Sequence, residues 1–114
     1  MSRMIDAARA YQAGASHRSL RTQEAEVFHL TNAGLRAARA AGPVARVRAL
    51  ADNRRLWTTV NDLMRDPANA LPTELRAAIF SVGLAVQREM DREQPNFDFL
   101  ISINENLAAG LAGG

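Results

Sequence analysis

Apolar residues recur along the chain three and four positions apart, the spacing of one face of an α-helix, and no alternating β-branched run is long enough for a strand. Five helices are predicted, over about residues 2–13, 19–41, 43–65, 73–92 and 98–111. The breaks between them contain Gly14, Gly42–Pro43, the loop 66–72 and Pro95, where glycine and proline oppose helix continuation. The pattern predicts an all-α fold: a single small bundle of about five helices, in one domain over residues 1–114.

The same periodicity predicts which residues face the core. Ser19 and Thr73 are expected to cap the second and fourth helices through their hydroxyl groups. The expected inward residues of the second to fifth helices are Val27, Leu30, Thr31, Gly34, Leu35 and Ala38; Val47, Leu50, Ala51, Trp57, Val60 and Met64; Leu75, Ile79, Val82, Val86 and Met90; and Leu100, Ile101, Asn104, Leu107, Ala108 and Leu111.

The first predicted helix, within residues 1–15, is short and set off from the rest by Gly14. Its apolar stripe consists of Met4, Ala8 and Tyr11, with Ile5 beside it. Methionine fills gaps in ordinary cores and also adapts to varied partner surfaces. Two interpretations therefore stay open: an ordinary core helix, or a mobile lid or partner surface formed by these four side chains.

Composition narrows the range of functions. Of the 114 residues 47% are hydrophobic, but 22 of them are Ala, which favours close helix packing over a large core. Cysteine is absent, which excludes disulfides, a thiol nucleophile and zinc sites with sulfur ligands. No segment approaches the roughly 20 apolar residues of a membrane span, and residues 1–15 lack the apolar run of a signal peptide. We expect a cytoplasmic protein.

Charge is divided between the two halves of the chain. All 14 basic residues are Arg, and the net charge is only +2 although the pI is about 10.4. Residues 1–55 hold ten Arg against four acids (10 − 4 = +6), and residues 56–114 hold four Arg against eight acids (4 − 8 = −4). We expect the halves to neutralise each other across facing surfaces; the alternative is a basic face for a partner.

Catalytic chemistry is poorly represented. His17 and His29 have no second ligand at metal-binding spacing, and a phosphate-binding P-loop is impossible without Lys. Glu89 with Arg92 or Glu93 forms helix-surface pairs rather than a catalytic dyad. We expect no enzyme activity, no cofactor and no metal.

The segment from Asp52 to Trp57 is the most distinctive. Because an asparagine amide competes for backbone hydrogen bonds, Asn53 inside a helix must bond elsewhere or serve a partner. Arg54 and Trp57 are three residues apart, so the guanidinium is expected to cover a buried indole. Asn104 raises the same question as Asn53, and we expect it to pair with a neighbouring backbone group.

Several strings of residues together resemble one family, the flagellar biosynthesis protein FlaF of alphaproteobacteria. In order, they are Asn53-Arg54-Arg55-Leu56-Trp57, then Asn69-Ala70-Leu71-Pro72, then Leu75-Arg76 with Ile79 and Gly83, then Leu100-Ile101-Ser102-Ile103-Asn104 before Ala109-Gly110-Leu111, with Ser19-Leu20-Arg21 and Glu24-Ala25 upstream.

This resemblance implies a small cytoplasmic helical protein that is required for flagellum assembly. It also implies action on flagellin, as a secretion chaperone or assembly factor, alongside FlbT, a regulator of flagellin mRNA translation. The residues that carry the family motif, and are candidates for partner binding, are Asn53, Arg54, Leu56, Trp57, Asn69, Leu71, Pro72, Asn104 and Gly110.

Two functions follow for comparison. In the first, a helix of flagellin lies in an apolar groove of this protein, which acts as a chaperone or as an assembly or secretion factor. In the second, the protein regulates flagellin expression, acting with FlbT or contacting flagellin mRNA through its Arg-rich half. Only 5% of residues are aromatic and no RNA-binding module is recognisable, which weighs against mRNA contact. The oligomeric state is open.

Overall fold

The computed structural model describes residues 25–113, with side chains through Gly110, and all regular structure in this part is helical. We label the helices α1 (described over residues 25–38), α2 (Pro43–Arg65), α3 (Thr73–Met90) and α4 (Phe97–Gly113). The all-α prediction is confirmed for this part, which holds four helices rather than about five. The predicted helix over 2–13, with Met4, Ile5, Ala8 and Tyr11, and the Ser19 cap lie outside the described residues.

Glycine and proline set the start of α2 where the sequence predicts it. Gly42 has φ 98°, a left-handed conformation that favours glycine, and Pro43 takes the first helical position, where its missing N–H costs nothing. The predicted range 43–65 is confirmed.

The start of α3 corrects one prediction. Thr73 is the first helical residue rather than the cap, and Pro72 occupies the cap position without a side-chain hydrogen bond. The helix begins there because the N–H of Arg76 already donates to the Pro72 carbonyl, at 3.0 Å. α3 ends at Met90, two residues before the predicted end.

The start of α4 is capped by a side chain. The N–H of Phe99 donates to Oδ1 of Asn96 at 3.1 Å, so the helix begins at Phe97, one residue before the predicted start.

Contacts between helices show that each helix runs antiparallel to the next. Arg54, near the middle of α2, bonds to Asp91 just after the end of α3. Arg65, at the end of α2, stacks on the Phe80 ring nearer the start of α3, with 5.7 Å from its guanidinium carbon to the ring centroid. α4 runs alongside α2 in the same direction, because Arg46 covers Phe97 and Trp57 bonds to Asn104. The chain therefore forms an up-and-down bundle over its described part.

The buried face of α1 differs from the predicted one. Val27 and Leu30 are 47% and 68% exposed, and Gly34 is exposed, whereas Leu35 and Ala38 are buried as predicted. The buried stripe consists of Ala25, Phe28, Asn32, Leu35 and Ala38. The predicted stripe included Thr31 but not Asn32, which is 1% exposed, so it differs from the buried stripe by about one residue.

The buried face of α2 also differs in part from the predicted one. Trp57 and Val60 are buried as predicted, Leu50 and Met64 are half-buried, and Val47 and Ala51 are exposed. The buried residues of α2 are Ala49, Asn53, Leu56, Trp57, Val60 and Asn61.

The last two helices follow the prediction more closely. On α3, Val86 and Met90 are buried and Ile79 is half-buried, but Leu75 and Val82 are exposed. On α4, the predicted residues Leu100, Ile101, Asn104 and Ala108 are buried and Leu107 is half-buried, while the side chain of Leu111 lies outside the described residues.

Candidate functional site

Three buried asparagines meet in the middle of the bundle. Asn104 on α4 donates through Nδ2 to Oδ1 of Asn32 on α1, at 2.9 Å, and to Oδ1 of Asn53 on α2, at 2.7 Å. Its own Oδ1 accepts the indole N–H of Trp57 at 2.8 Å. All four side chains are at most 1% exposed. We call these four residues the asparagine cluster.

The remaining amide groups of the cluster reach two more chain segments. Asn32 donates to the carbonyl of Ile101 on α4 at 3.1 Å, and Asn53 donates to the sulfur of Met90 on α3 at 3.2 Å. An unpaired buried polar group costs about 1–3 kcal/mol. The cluster therefore fixes the register of all four described helices against one another.

These contacts answer the questions that the sequence raised. Asn53 bonds to Asn104 and Met90 of its own chain, which is the first of the two alternatives given for it. The prediction that Asn104 pairs with a neighbouring backbone group is wrong, because its amide bonds to three side chains. The cluster's bond to a backbone carbonyl comes from Asn32.

The expected stacking of Arg54 on Trp57 is wrong. Trp57 is fully buried, with its ring edge-on to Phe28 at 6.3 Å between centroids, and its N–H points to Asn104. Arg54 lies on the exposed side of α2 and donates instead to Oδ1 of Asp91 at 2.7 Å and to the Met90 carbonyl at 2.9 Å. It ties α2 to the end of α3.

An apolar groove, which we call the α3–α4 groove, opens beside Trp57. It has a volume of about 300 Å³, and Trp57 forms its floor. Its walls are Ala78, Ile79 and Val82 on α3 and Ile103, Asn106 and Leu107 on α4.

Gly110 lies three residues beyond the groove residue Leu107 on α4 and is exposed. A Cβ atom built on Gly110 meets no atom within 4 Å, so the space beside it is free. A glycine inside a helix costs about 1 kcal/mol relative to alanine. Its advantage at this position is that another backbone can approach closely.

Three other family-motif residues shape the loop before α3. Asn69 donates to the Leu63 carbonyl at 2.9 Å, and its Oδ1 accepts the N–H of Leu71 at 2.9 Å. Pro72 follows at the cap position. These residues set where α3 begins and so place the outer wall of the groove, whereas the remaining motif residue, Leu56, is buried in the core.

Two buried asparagines, Asn32 and Asn61, were not predicted from the sequence. Asn61 on α2 is buried against Gly83 of α3, and a Cβ on Gly83 would collide with its amide. The signal was present for Asn32, because Phe28 and Leu35 stand one turn before and after it.

Charged groups in the described part form surface pairs. Arg36 pairs with Glu105, Arg39 with Asp98 and Arg54 with Asp91, each joining the basic half of the chain to the acidic half. The expected neutralisation between halves is confirmed at these three pairs.

The carboxyl group of Glu89 has a lowered pKa. The backbone N–H of Asn96 donates to Oε2 of Glu89 at 3.0 Å and lowers its pKa, helped by Arg92, against the opposing effect of desolvation. Glu89 thereby joins the end of α3 to the start of α4.

Among the residues that the structure describes, there is neither a metal-binding group of side chains nor a membrane-spanning helix. No three His, Asp or Glu side chains there are grouped so that they could hold a metal ion. Of the described helices, none combines the length and the apolar character that crossing a bilayer requires.

Comparison with known proteins assigns the family. No curated protein and no solved structure matches the chain significantly. A family model described as "Flagellar protein FlaF" matches residues 7–111, which is nearly the whole sequence. The chain belongs to the FlaF family of flagellar proteins.

Proposed function

We propose that this FlaF-family protein is a flagellum biogenesis factor that binds flagellin, as a chaperone or as an assembly or secretion factor, in the cytoplasm. A helix of flagellin would lie in the α3–α4 groove. The observation that carries this proposal is an apolar stripe of α3 that is buried at one end of the bundle and exposed at the other.

The stripe runs through Leu75, Ile79, Val82, Val86 and Met90. Val86 and Met90 are buried, whereas Leu75 and Val82 are 46% and 38% exposed. Burial of large apolar side chains lowers the free energy of the system. The exposed end of the stripe therefore offers a contact surface that the described part of the chain leaves uncovered.

The length of the exposed end of this α3 stripe suits a helix. Leu75 and Val82 are seven residues apart, which is about 10 Å along a helix at 1.5 Å per residue. A partner helix of about two turns with apolar residues at positions i, i+3 or i+4, and i+7 would match this length. Ala78 keeps the α3 wall low enough for close approach.

Flagellin offers segments of this kind. Its terminal segments are mobile before assembly and become amphipathic helices in the filament, so they expose apolar faces that need cover until assembly. A groove lined by small and apolar side chains can cover such a face and release it without a chemical step.

Regulation of flagellin expression, by contact with mRNA or through FlbT, has weaker support. Arg36, Arg39 and Arg54 belong to the basic half and are engaged by carboxylates of the acidic half. A filter-binding assay over a salt series tests mRNA contact, because electrostatic binding weakens steeply with salt. Binding at low salt that falls with added salt would favour the regulator.

The flagellin proposal is tested with purified proteins. We expect a stoichiometric complex with full-length flagellin by size-exclusion chromatography, and its loss when flagellin lacks the terminal segments. Equal binding of full-length and truncated flagellin would contradict the helix-in-groove mechanism. Adding FlbT to the same column shows whether it joins the complex directly.

A further inference from the structure

Asn106 stands out as a polar residue in the wall of the α3–α4 groove. The other residues that line the groove are Trp57, Ala78, Ile79, Val82, Ile103 and Leu107. Apart from Trp57 these have no side-chain group that forms hydrogen bonds, and Trp57 already donates its N–H to Asn104 at 2.8 Å. Hydrogen bonds between the lining side chains and an occupant of the groove therefore depend on Asn106.

The neighbours of Asn106 show which side of α4 it occupies. Asn104 points into the asparagine cluster, and Glu105 pairs with Arg36 on α1. Asn106 is exposed and belongs to the opposite side of the helix, where α4 forms its wall of the groove. A helix that binds in the groove can therefore reach the Asn106 amide.

Apolar contacts alone would leave the position of such a helix poorly defined. The hydrophobic effect is not directional, so a helix with a regular apolar stripe can shift along the groove by one turn and bury a similar apolar area. A covered amide group is different, because leaving it without a partner costs free energy. A single asparagine in the apolar seam of a coiled coil fixes the register of the helices for this reason.

We propose that Asn106 sets the register of the flagellin helix in the α3–α4 groove by hydrogen bonding to one polar side chain of that helix. This inference rests on the proposed function and adds the chemistry of the partner: an apolar helix face that is interrupted by one Asn, Gln, Ser or Thr. The bound position is the one in which that side chain meets Asn106, since a shifted helix leaves both polar groups covered and unpaired.

The affinity for full-length flagellin, measured by isothermal titration calorimetry, gives the first test. Asn106→Leu keeps a side chain of similar size but removes its hydrogen bonds, so we expect the dissociation constant to rise at least about fivefold. Asn106→Gln keeps the amide and should bind more tightly than Asn106→Leu.

A matched control accompanies these variants. Thr59→Leu places the same leucine at an exposed position of α2 that does not line the groove, and it should bind flagellin like the parent chain. Melting curves verify that all variants fold.

Photo-crosslinking reads the register itself. The chain has no Cys, so a single thiol introduced at Ser81→Cys can carry a benzophenone; Ser81 is exposed and precedes the groove residue Val82. Mass spectrometry then identifies the crosslinked residues of flagellin. We expect one short segment when Asn106 is present, and additional segments displaced by one or more helical turns when Asn106→Leu is added.

The results distinguish this inference from the proposed function. Flagellin that binds neither the parent nor the variants would contradict flagellin binding itself, and the inference with it. Flagellin that binds the parent, but binds Asn106→Leu equally or more tightly, would overturn the inference alone. Crosslinks confined to the same segment in both backgrounds would also overturn it, because the register would then be set without Asn106.

Discussion

At the residue scale, the fold depends on polar contacts in a place where the sequence suggests an apolar core. Trp57 gives its ring to the core and its N–H to Asn104, which in turn holds Asn32 and Asn53. Each donor and acceptor in this chain of contacts has a partner that is buried with it, so removing one member leaves another without a partner.

Trp57→Phe tests this account. The substitution keeps an aromatic ring but removes the donor to Oδ1 of Asn104, so we expect the free energy of unfolding to fall by about 1–3 kcal/mol. Trp57→Ala should cost about 3–5 kcal/mol, because it also leaves a cavity. Urea denaturation measures both, with the exposed neighbour Thr58→Ala as control. A Phe variant as stable as the parent would show that the hydrogen bond contributes nothing.

Arg54 gives a complementary prediction. Its contacts with Asp91 and the Met90 carbonyl are partly exposed, and exposed ion pairs contribute about 0–1 kcal/mol. Arg54→Ala should therefore lower stability slightly and leave flagellin and FlbT binding intact. Lost binding with an unchanged melting curve would make this position an interface.

Glu89 predicts a pH dependence. Its pKa is lowered in the folded protein, so its contribution to stability is present above the unfolded pKa and is lost as pH falls through the folded pKa. Glu89→Gln should therefore shrink the loss of stability between pH 7 and acid pH, as measured by urea denaturation at each pH. Glu93→Gln changes the charge equally and should not shrink it; a similar effect of both variants would contradict the role of the Asn96 contact.

Part of this cluster could be predicted from the sequence. Mid-helix position marked Asn53 and Asn104 as unusual, and aromatic size marked Trp57 as buried. Their pairing joins residues 47 and 51 positions apart in the chain, and it depends on how the helices cross. Local pattern carries no information about that crossing.

At the scale of helices, glycine and proline set where α2 and α3 begin, whereas the inward faces of α1 and α2 depend on contacts between helices. Gly42–Pro43 and Pro72 start α2 and α3 through backbone geometry that is local, so the sequence predicts those positions well. The inward faces of α1 and α2 depend on Asn32 and Asn53, which are inside because they have partners. These partners lie far away in the chain, so the helical periodicity of one segment does not reveal them.

Gly83 tests the close approach of α2 and α3. Alanine is the better helix former by about 1 kcal/mol, but a Cβ at position 83 collides with the buried amide of Asn61. Gly83→Ala should therefore lower the melting temperature. Gly110→Ala, where the same atom meets nothing, should raise stability of the free protein by about 0.5 kcal/mol. If Gly83→Ala stabilised the protein as well, the two helices would not be in close contact here.

At the scale of the whole molecule, some apolar faces of the described helices are buried in the bundle and others are exposed. The asparagine cluster and the ion pairs between halves hold the four helices together, while Leu75 and Val82 on α3 and Val27 and Leu30 on α1 remain exposed. The sequence predicted all four as inward. The helical periodicity was detected, and what the sequence could not supply is the surface that covers each stripe.

The most direct test of the central claim is the dissociation constant for full-length flagellin, measured for the parent chain, a groove variant and a control. The groove variant is Leu75→Ser with Val82→Ser, which changes the groove-wall residue Val82 and the exposed leucine one turn before Ile79 on the same stripe. The control is Val44→Ser with Val47→Ser. All four positions are exposed, so both variants should melt like the parent. We expect the groove variant to bind flagellin at least about tenfold more weakly, because burial of each large apolar side chain contributes about 1.5–3 kcal/mol, and the control to bind like the parent. Equal dissociation constants for the parent and the groove variant would contradict flagellin binding in the α3–α4 groove.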